Sequence, residues 1–165
     1  MSRKRQISVI GFDDQLCTNV ARETAYQIGK EIAKAGAVLI TGGLGGVMEA
    51  ACKGAKEAGG IVIGIVPTDN ISNANNYCDA VIATGVGFIR NFFVIYSGDA
   101  IIIVGGGAGT LIEAAAAYQK KKLLIAVSGT GGIADKLADQ YIDERKIVKV
   151  IVASGAREAV KKSLK

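Results

Sequence analysis

Ala100-Ile101-Ile102-Ile103-Val104-Gly105-Gly106-Gly107-Ala108-Gly109-Thr110-Leu111-Ile112-Glu113-Ala114-Ala115 is the stretch that decides how this chain folds. The apolar run Ala100 to Val104 reads as a buried strand, the glycines allow a tight turn, and the alanine-rich segment behind them favours helix. The same succession stands earlier, where Ala37 to Thr41 leads into Gly42-Gly43-Leu44-Gly45-Gly46-Val47-Met48-Glu49-Ala50-Ala51. A strand that turns through glycine into a helix start leaves backbone N–H groups aimed at one spot, and the helix dipole adds partial positive charge there. Such a spot attracts an anion, most often a phosphate. Two of these turns, each with a glutamate expected in the first helical turn, point to one phosphate-bearing ligand.

Outward from these turns, apolar runs alternate with helical spacing along the whole chain. Strands are expected at Ile7 to Phe12, Ala37 to Thr41, Ile61 to Val66, Asp79 to Thr84, Ala100 to Val104, Leu123 to Val127 and Lys149 to Val152. Helices are expected at Asn19 to Ala35, Gly46 to Ala58, Phe88 to Ser97, Thr110 to Gln119, Gly131 to Glu144 and Ser154 to Leu164, with Thr68 to Tyr77 the longest loop. Strict alternation predicts an α/β fold: a single doubly wound, Rossmann-like parallel sheet of about six to seven strands with helices on both faces. Residues 1–165 are read as one nucleotide- or phosphate-binding domain, since a chain of this length can bury about 70% of its unfolded surface in one core. In such sheets the ligand sits beyond the carboxyl ends of the strands, where strand order reverses. For both glycine turns to share a ligand, their parent strands must therefore flank the first strand.

Composition narrows the chemistry. Half of the 165 residues are hydrophobic but only 5% are aromatic, and Gly occupies 22 positions against one Pro, as suits a sheet covered on both faces. No apolar run is long enough to span a bilayer and the basic start lacks a cleavage site, so the protein is expected in the cytoplasm, away from membranes. There is no His, and Cys17, Cys52 and Cys78 are widely spaced without a Cys-x-x-Cys pair. A metal site is not expected, imidazole mechanisms are excluded, and the cysteines read as structural thiols. The net charge of +5 gathers in the first residues, in Lys120-Lys121-Lys122 and in the tail. No aromatic residues interleave with these lysines, which argues against nucleic acid as a partner.

Specific residues carry the rest. Gly11 closes the first strand without the Gly-x-Gly-x-x-Gly spacing of a dinucleotide site, and no Gly-Lys-Ser/Thr of a Walker loop occurs. Thr110 and Glu113 have the spacing of a capping box, in which each side chain satisfies a free backbone donor of the other. Glu49 stands equivalently but without a partner, so its expected role is with the helix dipole. Arg90 lies in the apolar run Gly87-Phe88-Ile89-Arg90-Asn91-Phe92-Phe93-Val94-Ile95. A guanidinium there cannot shed its charge and must find an anion: a carboxylate such as Glu113 or Glu49, or a ligand phosphate held bidentately.

Gly106-Gly107-Ala108-Gly109-Thr110-Leu111-Ile112-Glu113, preceded by Arg90 and Asn91, resembles the LONELY GUY (LOG) proteins and their relatives, the molybdenum cofactor carrier proteins, a group long mislabelled as lysine decarboxylases. The Gly42-Gly43 turn with Val47-Met48 is similar to the other glycine motif of that family. LOG enzymes hydrolyse the N-glycosidic bond of nucleoside monophosphates, releasing base and ribose 5-phosphate. The resemblance implies Arg90 and Glu113 as catalytic residues of such a hydrolase, with Gly106, Gly107, Gly109 and Thr110 in its phosphate loop. Gly11, Gly42, Gly43, Gly45, Gly46 and Asn91 complete the expected ligand site.

The chain departs from the LOG pattern at Gly105 in place of proline, Asn91 in place of lysine and Glu49 in place of glycine. The Arg90-Asn91 pair is more similar to the carrier branch, which binds a pterin phosphate without converting it. The expected function is thus binding of a phosphorylated nucleotide or pterin-type cofactor (nucleoside monophosphate, phosphate or molybdenum cofactor), with no cofactor expected to be required. A phosphoribohydrolase is the alternative, and a nucleic-acid-binding relative a second. The family also implies a homo-oligomer, dimer or tetramer.

Overall fold

The fold was obtained as a computed structural model describing residues 3–165. Seven strands, β1 (Gln6–Gly11), β2 (Val38–Thr41), β3 (Ile61–Val66), β4 (Ala80–Ala83), β5 (Ala100–Val104), β6 (Leu123–Val127) and β7 (Ile151–Ala153), form one sheet. Its order is β4-β3-β2-β1-β5-β6-β7, and every pair is parallel. The helices are α1 (Asn19–Lys34), α2 (Val47–Glu57), α3 (Arg90–Ser97), α4 (Ala108–Gln119), α5 (Gly132–Leu137) and α6 (Ala156–Ser163). None among the described residues is long and apolar enough to cross a membrane.

Central strands with no polar face need cover on both sides. On β5, Ala100, Ile102 and Val104 point into one core with Ala25, Ile28 and Ile32 of α1, Ala51 and Ala55 of α2 and Val160 of α6. The alternate residues Ile101 and Ile103 join the opposite core with Val94 and Ile95 of α3, Ala114 and Tyr118 of α4 and Ala134 of α5. Alanine at the sheet-facing positions of α2 and α4 keeps these helices close to the strands, so the start of each is fixed against the strand ends.

The two strands that feed the glycine turns, β2 and β5, lie on either side of β1, with Ser8 in register with both Ile40 and Ile101. Strand order reverses here. The expected doubly wound sheet, the flanking arrangement and the alternation of elements are all present.

One segment differs. The expected helix from Gly131 to Glu144 is confined to α5, ending at Leu137. Ala138 turns to extended geometry and Asp139 takes a φ of 60°, its N–H donating to Val150 O. The chain then makes an antiparallel bridge, Tyr141 to Lys149, and Tyr118 of α4 donates its hydroxyl to Asp143. Long-range partners for these polar groups outcompete a lone helix extension. The last strand correspondingly begins at Ile151 rather than Lys149.

Candidate ligand cleft at the strand switch point

Beyond the carboxyl ends of β1, β2 and β5 lies a cavity of about 440 Å³, within the usual range for small-molecule sites. Of the residues singled out in the sequence, Gly11, Gly42, Arg90, Asn91, Gly107, Gly109, Thr110 and Glu113 line it. Gly43, Gly45, Gly46 and Gly106 are outside this lining, and the backbones of Gly43, Gly46 and Gly106 are bonded within the protein. Gly43 N–H donates to Thr41 Oγ1 at 3.1 Å, and Gly106 O accepts from Ile133 N–H at 2.9 Å.

The two turns are alike in letters and unlike in geometry. At the first, Gly46 is the residue before α2, and its N–H donates to Asp14 Oδ1 at 2.7 Å. The following N–H, of Val47, donates to Phe12 O at 2.9 Å. The protein's own groups therefore take the anion position of this turn. At the second, α4 starts at Ala108, three residues before the position that echoes the start of α2. Gly107 precedes it in extended geometry, and the first intrahelical bond runs from Leu111 N–H to Gly107 O at 3.0 Å. The amides of Ala108, Gly109 and Thr110 thus stand at the open end of the helix without an intrahelical acceptor. The expectation of two equivalent anion turns is corrected to one open turn, with the first shaping the opposite wall.

The same shift removes the expected capping box. Thr110 is inside α4 rather than before it, and its hydroxyl donates to Gly11 O at 3.1 Å, bridging α4 to the end of β1. Glu113 falls in the second turn of the helix and points into the cleft. Glu49 does lie in the first turn of α2, as expected, but it lines a separate cavity with Arg22, Tyr26, Lys53 and Tyr77. It does not meet Arg90.

Arg90 opens α3 and is only 7% exposed, and its Nε is buried without a hydrogen-bond partner. Its space comes from Gly42, where a Cβ would overlap Nη1 of the guanidinium. That steric fact explains why the first turn needs glycine at this point even though it holds no free amide. Glu113, 8% exposed, lies near enough for each charge to favour the other. Among the described residues, however, Arg90 enters no ion pair. Burial pushes the Glu113 carboxyl up to about 7, and the Arg90 charge only partly opposes this. Burial likewise disfavours the Arg90 cation, which nevertheless keeps its proton at any ordinary pH. A buried, under-compensated guanidinium, three helix-end amides and a carboxyl poised between its two protonation states therefore face one cavity.

Several lining residues were not among the expected site residues: Phe12, Asp13, Leu16, Leu44, Met48, Pro67 and Phe88. Phe12 and Asp13 directly follow β1, so their place beyond a central strand was the available signal. Leu44, Met48, Pro67 and Phe88 give the cleft an apolar side suited to a flat ring.

A family model described as the SLOG cluster4 family matches residues 4–160. The molybdenum cofactor binding protein from the phototrophic bacterium Rippkaea orientalis is similar in structure, with a TM-score of 0.87 and 36% identity, covering 98% of this chain and 96% of that one. The molybdenum cofactor carrier protein from Chlamydomonas reinhardtii gives a TM-score of 0.84 and 35% identity, covering 98% and 99%. An uncharacterized protein of Archaeoglobus fulgidus is 47% identical over 97 residues, or 59% of this chain, and that match spans 62% of the relative's own length. The family match runs nearly end to end over a fold that superposes on both solved relatives: this chain belongs to the SLOG cluster4 family.

Proposed function

We propose that this protein binds and carries a small phosphorylated ligand of the pterin-cofactor or nucleotide type, its phosphate seated between Arg90 and the start of α4. The observation that carries this reading is the buried Arg90 guanidinium, whose Nε has no partner and whose charge is in no ion pair among the described residues. A phosphate supplies both a counter-charge and bidentate acceptors, and it also satisfies the amides of Ala108, Gly109 and Thr110. A phosphorylated pterin such as the molybdenum cofactor fits on two further counts. Gly42 leaves the cradle for the guanidinium, and Leu44, Met48, Pro67 and Phe88 offer a surface for the ring. The cleft lining holds no Cys or His, so a metal in the cargo would stay on the cargo's own donors. The names of the two solved relatives, a molybdenum cofactor binding protein and a molybdenum cofactor carrier protein, agree with this reading. Mass spectrometry of the small molecules released when the purified protein is denatured is expected to show a phosphorylated heterocycle. Recovery of only unphosphorylated compounds would count against it.

A second reading rests on Glu113. A cleft carboxyl raised to about 7 is suited to exchanging a proton near neutral pH, as in hydrolysis of a nucleoside monophosphate at its N-glycosidic bond. There Glu113 would hold the ribose and assist attack by water, while Arg90 fixes the phosphate. Incubation with adenosine monophosphate separates the two: a carrier returns the nucleotide intact, whereas a hydrolase liberates adenine.

The protein is further proposed to form homo-oligomers through the outer face of α3 and α4. Phe88 (54% exposed) and Ile89 (60%) just before α3, Phe93 on α3 and Ile112 on α4 leave apolar surface there, of a kind that marks an interaction site when contiguous. Ile112→Asp is expected to shift the protein to monomer in sedimentation velocity with its circular dichroism unchanged. An unaltered sedimentation coefficient would remove this face from consideration.

A further inference from the structure

The thiols of Cys52 and Cys78 lie far apart in sequence and together in space. Cys52, on the sheet-facing side of α2, is fully buried, and its Sγ is 3.2 Å from Thr41 Oγ1 at the end of β2. Cys78, half-buried just before β4, packs on β3: a Cβ on Gly64 would sit 2.6 Å from its Sγ. Thr41 and Gly64 are register partners across β2 and β3, and adjacent strands are about 4.8 Å apart. The two sulfurs therefore rest over one rung of the sheet, and glycine at position 64 makes the room. The proximity of the two thiols favours ionisation of Cys52, holding it below its ordinary value against the effect of burial, and raises Cys78.

This pair stands directly behind the wall of the cleft. Thr41 Oγ1, the neighbour of Cys52, also accepts from Gly43 N–H at 3.1 Å. Asn75, which accepts from Cys78 at 3.7 Å through Oδ1, donates its Nδ2 to Leu44 O at 3.0 Å and its backbone N–H to Gly43 O at 2.8 Å. The loop that carries Cys78 is thus fastened to the first glycine turn, and Leu44 of that turn lines the cleft.

We propose that Cys52 and Cys78 are a reversibly oxidisable dithiol, closing to an intramolecular disulfide that staples the segment before β4 to α2 beneath the first glycine turn. With hydrogen peroxide as oxidant the balance is simple. One sulfur takes an oxygen as the peroxide O–O bond breaks, giving a sulfenic acid and water. The second sulfur then attacks the first, the S–S bond forms, and the departing hydroxide takes up the remaining thiol proton as a second water. Two thiols are oxidised by two electrons and one peroxide is reduced. Cys78 is the less buried sulfur and Cys52 the more readily ionised, and the balance is the same whichever of them takes the oxygen first. Cys17, near the start of α1, has no such partner and remains a thiol. In a reducing compartment such a bond is transient and responsive rather than a permanent staple.

The test is a non-reducing peptide map of the full chain before and after treatment with hydrogen peroxide. A Cys52–Cys78 linked peptide pair, the loss of two hydrogens from the intact mass and reversal by dithiothreitol are expected. Oxidised protein should also melt roughly 5–10 °C higher than reduced protein, as a cross-link over this loop length implies. Cys78→Ser should abolish that shift, whereas Cys17→Ser should retain it. If peroxide leaves both thiols free to alkylation, or oxidises Cys78 to a sulfinic acid without linkage, the pair is not a switch. Bonds found only between molecules through Cys17 would overturn it equally.

Discussion

Replacing Arg90 by Met is expected to raise the stability of the ligand-free protein while lowering its affinity for a phosphorylated ligand by about 100-fold or more. The two effects have one origin. Arg90 is buried, its Nε is unpartnered, and no carboxylate forms an ion pair with it. A buried guanidinium without an ion-pair partner is destabilising where burial outweighs the attraction of nearby Glu113, and replacing it by a hydrophobic side chain of similar length is expected to gain about 1–3 kcal/mol. The bound phosphate loses its charge-assisted bonds at the same time, a loss of roughly 3 kcal/mol or more. Glu113 has nothing to lose by the change: the Arg90 charge is what lowers its pKa, so without it the carboxyl stays neutral to higher pH. Urea denaturation without ligand and calorimetric titration with a phosphorylated ligand read the two halves. A structural role for Arg90 predicts the opposite sign for the first, namely a less stable variant.

Glu113→Gln is expected to change how stability depends on pH. In the folded protein the carboxyl is raised from 4.5 to about 7 by burial. A raised value means that the folded state holds the proton more tightly than the unfolded chain. The stability from the neutral group is complete below pH 4.5 and is lost as pH rises through 7. Over that window the wild type loses about 3 kcal/mol, from the size of the shift. Gln resembles the protonated acid and cannot ionise, so the variant should match the wild type at pH 4.5 and exceed it by about that amount at pH 8. Asp143 and Glu158 are held down to about 2, by hydrogen bonds from Arg145 and Lys162 respectively. They act in the reverse sense, losing their contribution as pH falls, so their window lies below that of Glu113.

A negative ligand beside Glu113 further favours its proton, so wild-type affinity should decline as pH rises past 7 and the Gln variant should show a flatter profile. Chemical denaturation at several pH values and the pH profile of binding check these outcomes. Equal slopes for both proteins would mean that Glu113 is ionised and solvated throughout. If the protein is a hydrolase, the same substitution also removes turnover while leaving binding in place.

The sequence made the architecture readable because each signal was local and repeated. Val- and Ile-rich runs such as Ile101 to Val104 alternate with alanine-lined helices, and β2 and β5 emerge on either side of β1 as a shared ligand site requires. Arg90 was legible for a different reason, since a guanidinium in an apolar run must answer to an anion somewhere. The likeness between the two glycine turns misled at the level of geometry. The amide of Gly46 is taken by Asp14, a residue distant in sequence and visible only once β1 and β2 are side by side. The spacing of Thr110 and Glu113 matched a capping box, but the helix begins at Ala108, two residues before the expected start, and places both residues inside it. The Gly131 to Glu144 segment failed as a helix because Val150, Lys149 and Tyr118 supply partners that no local pattern reveals. In the first and last of these cases a long-range contact overrode a short-range preference.

A crystal structure of the protein grown with inorganic phosphate or a nucleoside monophosphate tests the central claim most directly. The account predicts a phosphate between the Arg90 guanidinium and the amides of Ala108, Gly109 and Thr110, with Asp14 still on Gly46. A phosphate bound elsewhere while Arg90 closes into an ion pair with Glu113 would contradict it.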